Sequence, residues 1–140
     1  MELAANDVNE QAAAPAGLGA ARGMVAGLLR LEGAVALALA TIAFHRMGGS
    51  WWQFAYLFLL PDLSMLGYLA NRRLGAWLYN AGHTYGLPAL LALATLALAN
   101  LHLLPIAAIW AAHIGFDRLM GYGLKYETAF GATHLGWRGL

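Results

Sequence analysis

The sequence predicts an all-α fold: an integral membrane four-helix bundle, up-down-up-down, with both termini cytoplasmic. Three observations carry that expectation. Of 140 residues, 61% are hydrophobic and only 11% charged, less than half the ~25% charge of an ordinary soluble domain. The apolar residues gather in four stretches, 24–44, 51–69, 74–99 and 101–119, each near the ~20 residues that carry an α-helix across ~30 Å of hydrocarbon. The connectors are short, and short connectors make neighbouring helices antiparallel.

Residues 1–22 are polar and Ala/Gly-rich, with Glu2, Asp7, Glu10 and Pro15, and read as a disordered tail. No basic segment directly precedes a short apolar run, so the tail is not read as a secretory signal. Residues 23–140 form the predicted transmembrane domain, closing in a short cytoplasmic C-terminal segment. The first stretch is interrupted by Arg30 and Glu32, the second holds Pro61 and Asp62, the third His83 and Pro88, and the fourth His113 and Asp117. No period-2 alternation points to a barrel, and a backbone in lipid must otherwise bond internally as helix. Arg22, Arg30, Arg72, Arg73, Arg118, Lys125 and Arg138 fall on one side of a four-span topology and only Arg46 on the other. Positive charge marks the cytoplasmic side. Trp51 and Trp52 then sit at the outer interface as aromatic anchors.

A net charge of +1 with no basic run excludes a nucleic-acid surface. The absence of cysteine excludes disulfides, thiolate metal ligands and thiol nucleophiles.

The topology gathers ionisable groups in one leaflet. Asp62 lies past the middle of the second span. His83 lies nine residues into the third, about 13 Å deep at ~1.5 Å per residue. His113 and Asp117 occupy the inner half of the fourth, on one helix face because they are i and i+4. Glu32 begins the inner end of the first. Charges in lipid are costly and face one another or a cavity. Two imidazoles with two carboxylates suit Zn, Mn or Fe, so Asp62, His83, His113 and Asp117 are the predicted ligands of a divalent metal ion. Glu32 and His134 are the candidate catalytic groups, as general base or as orienting partner of a ligating histidine. Tyr122, Lys125 and Tyr126 would line the same cytoplasmic mouth.

Each residue also has a plainer role. Glu32 would complement a helix dipole, and Asp62 would bond backbone groups freed by Pro61. His83 and His113 would link helices by hydrogen bonds, and Asp117 would pair with Arg118. His134 would be an ordinary tail residue.

Several motifs form a recognisable set. They are Leu31-Glu32-Gly33, the run from Pro61 to Tyr68, Tyr79-Asn80-Ala81-Gly82-His83-Thr84-Tyr85, and His113-Ile114-Gly115-Phe116-Asp117-Arg118. Gly121 to Tyr126 and Thr133-His134-Leu135-Gly136 complete it. Over roughly residues 28–137 the chain resembles a family of small bacterial membrane proteins, domain of unknown function 4260. That resemblance implies a multi-pass protein of the bacterial inner membrane in which the polar motifs share a site. A fainter similarity, through Pro61-Asp62, His83, His113 and Asp117, is to membrane-bound metal-dependent hydrolases.

The leading expectation is a metal-dependent hydrolase acting on a membrane lipid or another amphiphile. The alternatives are a proton, ion or metal transport element working as a homo-oligomer, a haem bundle with His83 and His113 as axial ligands, and a non-catalytic scaffold.

Overall fold

The computed structural model describes residues 19–137. Most of the predicted tail (residues 1–18) and Arg138 lie outside the described residues. The first helix, α1 (Gly23–Arg46), is unbroken over 24 residues, about 36 Å at ~1.5 Å per residue. Its buried residues are Gly33 and Phe44. Val25, Leu28, Leu31, Val35, Leu39 and Ile42 leave about half or more of their surface exposed. Only 6% of its most apolar window is buried within the protein. Its outward face is an apolar surface of the kind that marks interaction with a partner or a membrane.

The second predicted span is divided. Helix α2 (Trp51–Phe58) gives way at Leu59 to a 3-10 helix, Leu60–Leu69. Pro61 has no N–H to give to an α-helical ladder. The Ser64 hydroxyl donates to the Pro61 carbonyl at 2.6 Å, which favours the tighter winding. Runs of 3-10 helix beyond three or four residues are uncommon and mark strained or functional segments.

The third predicted span is also divided, into α3 (Arg72–Gly82) and α4 (Gly86–Ala97). Asn71 caps α3, its side chain accepting the Leu74 N–H at 2.8 Å. The break has a cause in Pro88. Its ring would collide with the carbonyl four residues earlier, that of Thr84, were the helix continuous. Placed in the first turn of α4, it costs no hydrogen bond. A 3-10 turn, Leu101–Leu103, leads into α5 (Leu104–Met120). Helix α5 stops on Gly121, whose φ of +87° is left-handed. The Tyr122 N–H returns to the Asp117 carbonyl at 2.7 Å, as in a glycine-terminated helix end. Among the described residues the fold is therefore five α-helices and two 3-10 segments, not four continuous helices. Among the described residues, Gly23–Arg46 and Leu101–Met120 are the two stretches long and apolar enough to cross a membrane.

Helix α5 is the axis of the packing, meeting α1, α2 and α4. Helices α1 and α5 cross through Gly33 and Gly115. A Cβ on Gly115 would fall 2.6 Å from the Leu37 nitrogen and 2.7 Å from the Gly33 carbonyl oxygen. Glycine allows this backbone-to-backbone approach, the usual device for close helices in membranes. Gly67 and Gly75 let the long 3-10 helix pack closely on α3, Gly75 making room for the Tyr68 ring and Gly67 for the Leu78 side chain. The chain after α5 folds back as a small antiparallel pair, β1 (Ala132–Thr133) with β2 (Gly136–Trp137). The Asn80 side chain anchors it, donating to the Lys125 carbonyl at 2.9 Å and accepting the Lys125 N–H at 2.7 Å.

Candidate metal centre

The two interruptions and the central helix converge on one point. Asp62 comes from the first turn of the long 3-10 helix, His83 from the residue that ends α3, and His113 and Asp117 from successive turns of α5. One ligand atom from each lies within 4.8 Å of the other three. His83 Nε2 is 3.3 Å from Asp62 Oδ1, 3.4 Å from Asp117 Oδ2 and 3.1 Å from His113 Nε2. His113 Nε2 is 3.5 Å from each of the same two carboxylate oxygens. Donors ~2.0–2.1 Å from a zinc ion in a regular tetrahedron are separated by about 3.3–3.4 Å. A square arrangement would need two long diagonals, which five short distances out of six exclude.

The surrounding bonds fix which atoms face inward. His83 Nδ1 lies 2.8 Å from the Tyr79 carbonyl oxygen. A carbonyl only accepts, so in the neutral ring Nδ1 carries the hydrogen and Nε2 presents its lone pair to the centre. The Tyr79 ring stacks on the His83 ring at 3.8 Å between centroids and 11° between planes. Ending α3 at His83 frees carbonyls that need donors, and α5 supplies them. Trp110 Nε1 donates to the Gly82 carbonyl at 2.6 Å, and Arg118 donates to the His83 carbonyl at 2.8 Å and to the Tyr122 carbonyl at 2.9 Å. Phe58 packs edge-on to the His113 ring at 5.1 Å. His113 Nδ1 is buried without a hydrogen-bond partner, although the Phe58 carbonyl lies near that ring.

The charge balance asks for a cation. Two carboxylates and two neutral imidazoles carry two negative charges beside rings that are 0% and 2% exposed, and the buried Arg118 guanidinium, bonded to the His83 carbonyl, offsets one of them. A divalent ion would balance the carboxylate charge and give the two Nε2 lone pairs and one oxygen of each carboxylate a common partner. Protonating both rings also balances the charge, but it would point two N–H bonds of like-charged rings at each other across 3.1 Å. The side chain of Asp62 is 39% exposed, against 11% for Asp117, so the centre opens on the Asp62 side.

The structure thus brings together the four predicted ligands and leaves the two predicted catalytic groups apart. Glu32 is exposed on α1, beside Gly33 but outside the four-residue group. It stands in the third turn, and the first turn of α1 carries no acid, so the helix-dipole role does not apply either. His134 is outside the group as well. Its Nδ1 accepts the Leu124 N–H at 2.8 Å, and its carbonyl accepts the Ala21 N–H at 2.7 Å. It ties the C-terminal turn to the segment that follows α5 and to the residues just before α1. Lys125, expected at the mouth, has its ammonium over the Phe130, Tyr79 and Tyr68 rings and donates to the Phe130 carbonyl at 2.9 Å. A haem is incompatible with the site. Two axial imidazole nitrogens need ~4 Å between them with the macrocycle in the gap, and here they share one cage at 3.1 Å. Tyr79, Trp110 and Arg118 are supporting residues that sequence reasoning did not assign. Tyr79 was within reach of it, standing one turn before His83 on the same face.

No curated protein and no solved structure matches the chain, and nothing among the comparisons supports the fainter likeness to hydrolases. One family model does match, over residues 26–137. That span contains all four converging side chains and both interrupted segments, and on it the chain belongs to the family described as Domain of unknown function (DUF4260).

Proposed function

We propose that this chain is a multi-pass membrane protein built to hold one divalent transition-metal ion, best matched by zinc, between Asp62, His83, His113 and Asp117. The observation that carries the reading is the set of five ligand-atom distances between 3.1 and 3.5 Å, the spacing of a tetrahedral N/O site. Manganese prefers six oxygen-rich ligands, and non-haem iron(II) a three-ligand face; neither matches four converging points as well.

The membrane placement rests on the exposed apolar surface of α1 and on the positive-charge bias of the sequence. In this reading α2 with the long 3-10 helix makes one crossing and α3 with α4 another, giving four in all with both termini cytoplasmic, in a bacterial inner membrane. Interrupted helices at membrane depth are tolerated where they line a polar site, and they are a recurrent way of presenting ion ligands. Both interruptions here supply a ligand.

The exposed edge at Asp62 favours a second, narrower reading, in which the resting four-ligand site expands to admit a water as fifth ligand at that edge and the activated water hydrolyses an ester or phosphoester. With Glu32 and His134 outside the four-residue group, the metal itself would do the activating.

Purified full-length protein reconstituted with zinc should retain one ion per chain, and His83→Ala and His113→Ala should each weaken retention by more than ~100-fold, beyond the 10–100-fold typical of outer-shell partners. The zinc-loaded protein should also turn over a chromogenic phosphodiester that His83→Ala leaves intact. Absence of retained metal would overturn the first reading; full loading without turnover of ester or phosphoester probes would overturn only the second.

A further inference from the structure

A partly open cavity of about 260 Å³ lies beside the metal centre, with Leu57, Leu60, Pro61, Gly82, Ile106 and Trp110 among its lining residues. Its position follows from the chain. Pro61 precedes Asp62, Gly82 precedes His83, and Trp110 stands one turn before His113 on α5. The Trp110–Gly82 hydrogen bond at 2.6 Å ties two walls together and occupies the indole N–H. The Ser64 hydroxyl, also in the lining, is bonded to the Pro61 carbonyl. The polar groups of the walls are thus paired among themselves, and an apolar cavity without polar partners does not hold water stably. Leu60 is half exposed, so the cavity has an apolar flank toward the outer surface of the helices.

We propose that this cavity receives the aliphatic chain of a single-chain amphiphile whose anionic head reaches the metal at the exposed Asp62 edge. The proposal rests on the metal-centre reading for the head group, and on the cavity alone for the chain. Its size sets the chain length. A cavity of ~150 Å³ holds benzene, so about 260 Å³ corresponds to roughly eight to ten carbons on the same scale. A double-chain phospholipid would not fit entire. A fatty acid or a lysolipid-like molecule would.

The test uses full-length protein in nanodiscs and a series of carboxylates from acetate through decanoate to tetradecanoate. Cobalt replaces zinc, so that its visible absorption reports a carboxylate reaching the metal. Each methylene should tighten half-saturation about fourfold, levelling near ten carbons. Ile106→Phe, which fills the cavity without touching a ligand, should bind acetate like the wild type and decanoate at least tenfold more weakly. Because both proteins share the same bilayer, partition of the chain into lipid cancels in that ratio.

A second readout needs no metal. In a variant whose other four tryptophans are Phe, bromodecanoate should quench Trp110 fluorescence at least threefold more strongly than when Ile106→Phe is added. A wild-type to Ile106→Phe ratio near one along the whole series, or equal quenching in the two proteins, overturns the proposal. Failure to bind cobalt overturns the metal-centre reading instead, and the Trp110 quenching still decides the fate of the cavity.

Discussion

His83 is the residue on which most of the architecture acts. Its ring is oriented by the Tyr79 carbonyl below it and the Tyr79 ring beside it, and its own carbonyl is held by Arg118. A side chain locked by that many bonds would reach a metal ion with little ordering cost, as preorganised sites require. The i, i+4 relation of His113 and Asp117 was legible in the sequence, because helix periodicity alone dictates it. The facing of Asp62 and His83 was not, because rotation about a helix axis is invisible to hydropathy. His134 shows the opposite case. Its residue type suggested chemistry, whereas its partner, the Leu124 amide, is fixed by a local hairpin that no periodic pattern announces. Burial, reinforced by the charge of Arg118, holds the His134 imidazole below its usual value of 6.5. The neutral form is therefore the folded one, and its contribution is complete above pH 6.5 and declines as pH falls below it. Amide exchange at Leu124, corrected for its intrinsic rate, should accelerate between pH 7 and pH 5 in the wild type and become flat and fast in His134→Ala. Protection unchanged across that range would contradict the role.

At the scale of elements, the four apolar stretches were readable in the sequence, but their continuity was not. Apolar content sums over a stretch and is blind to a break of two or three residues. Pro61 and Pro88 were the available signals, one removing a donor and the other obstructing the Thr84 carbonyl, and both breaks deliver a ligand. Helix crossings carry the second lesson. Gly115 is pressed against the backbone of α1, whereas an added Cβ on Gly27, earlier in α1, would meet nothing within 4 Å. Gly115→Val should cost about 3 kcal/mol or more, at or above the upper end of overpacking penalties, and should weaken metal retention because His113 and Asp117 flank the crossing. Gly27→Ala should cost nothing, since alanine is the better helix former. Thermal unfolding in detergent, read by loss of helical circular dichroism, compares the two directly; equal midpoints would show that the α1–α5 crossing does not stabilise the fold.

For the whole molecule, many apolar side chains are exposed on the outside, and His83, His113, Asp117 and Arg118, four of the buried polar residues, gather at the junction of α5 with the two interrupted segments. Composition made the first half of that statement readable from 61% hydrophobic residues. The second half needed the fold, because convergence depends on two helix breaks and two glycine crossings acting together. X-ray absorption at the zinc edge of the reconstituted full-length protein tests the central claim most directly. The account predicts a first shell of four nitrogen and oxygen atoms at ~2.0–2.1 Å, with outer-shell scattering from two imidazoles that falls to one in His83→Ala. A six-coordinate shell without imidazole scattering, or a spectrum that His83→Ala leaves unchanged, would contradict it.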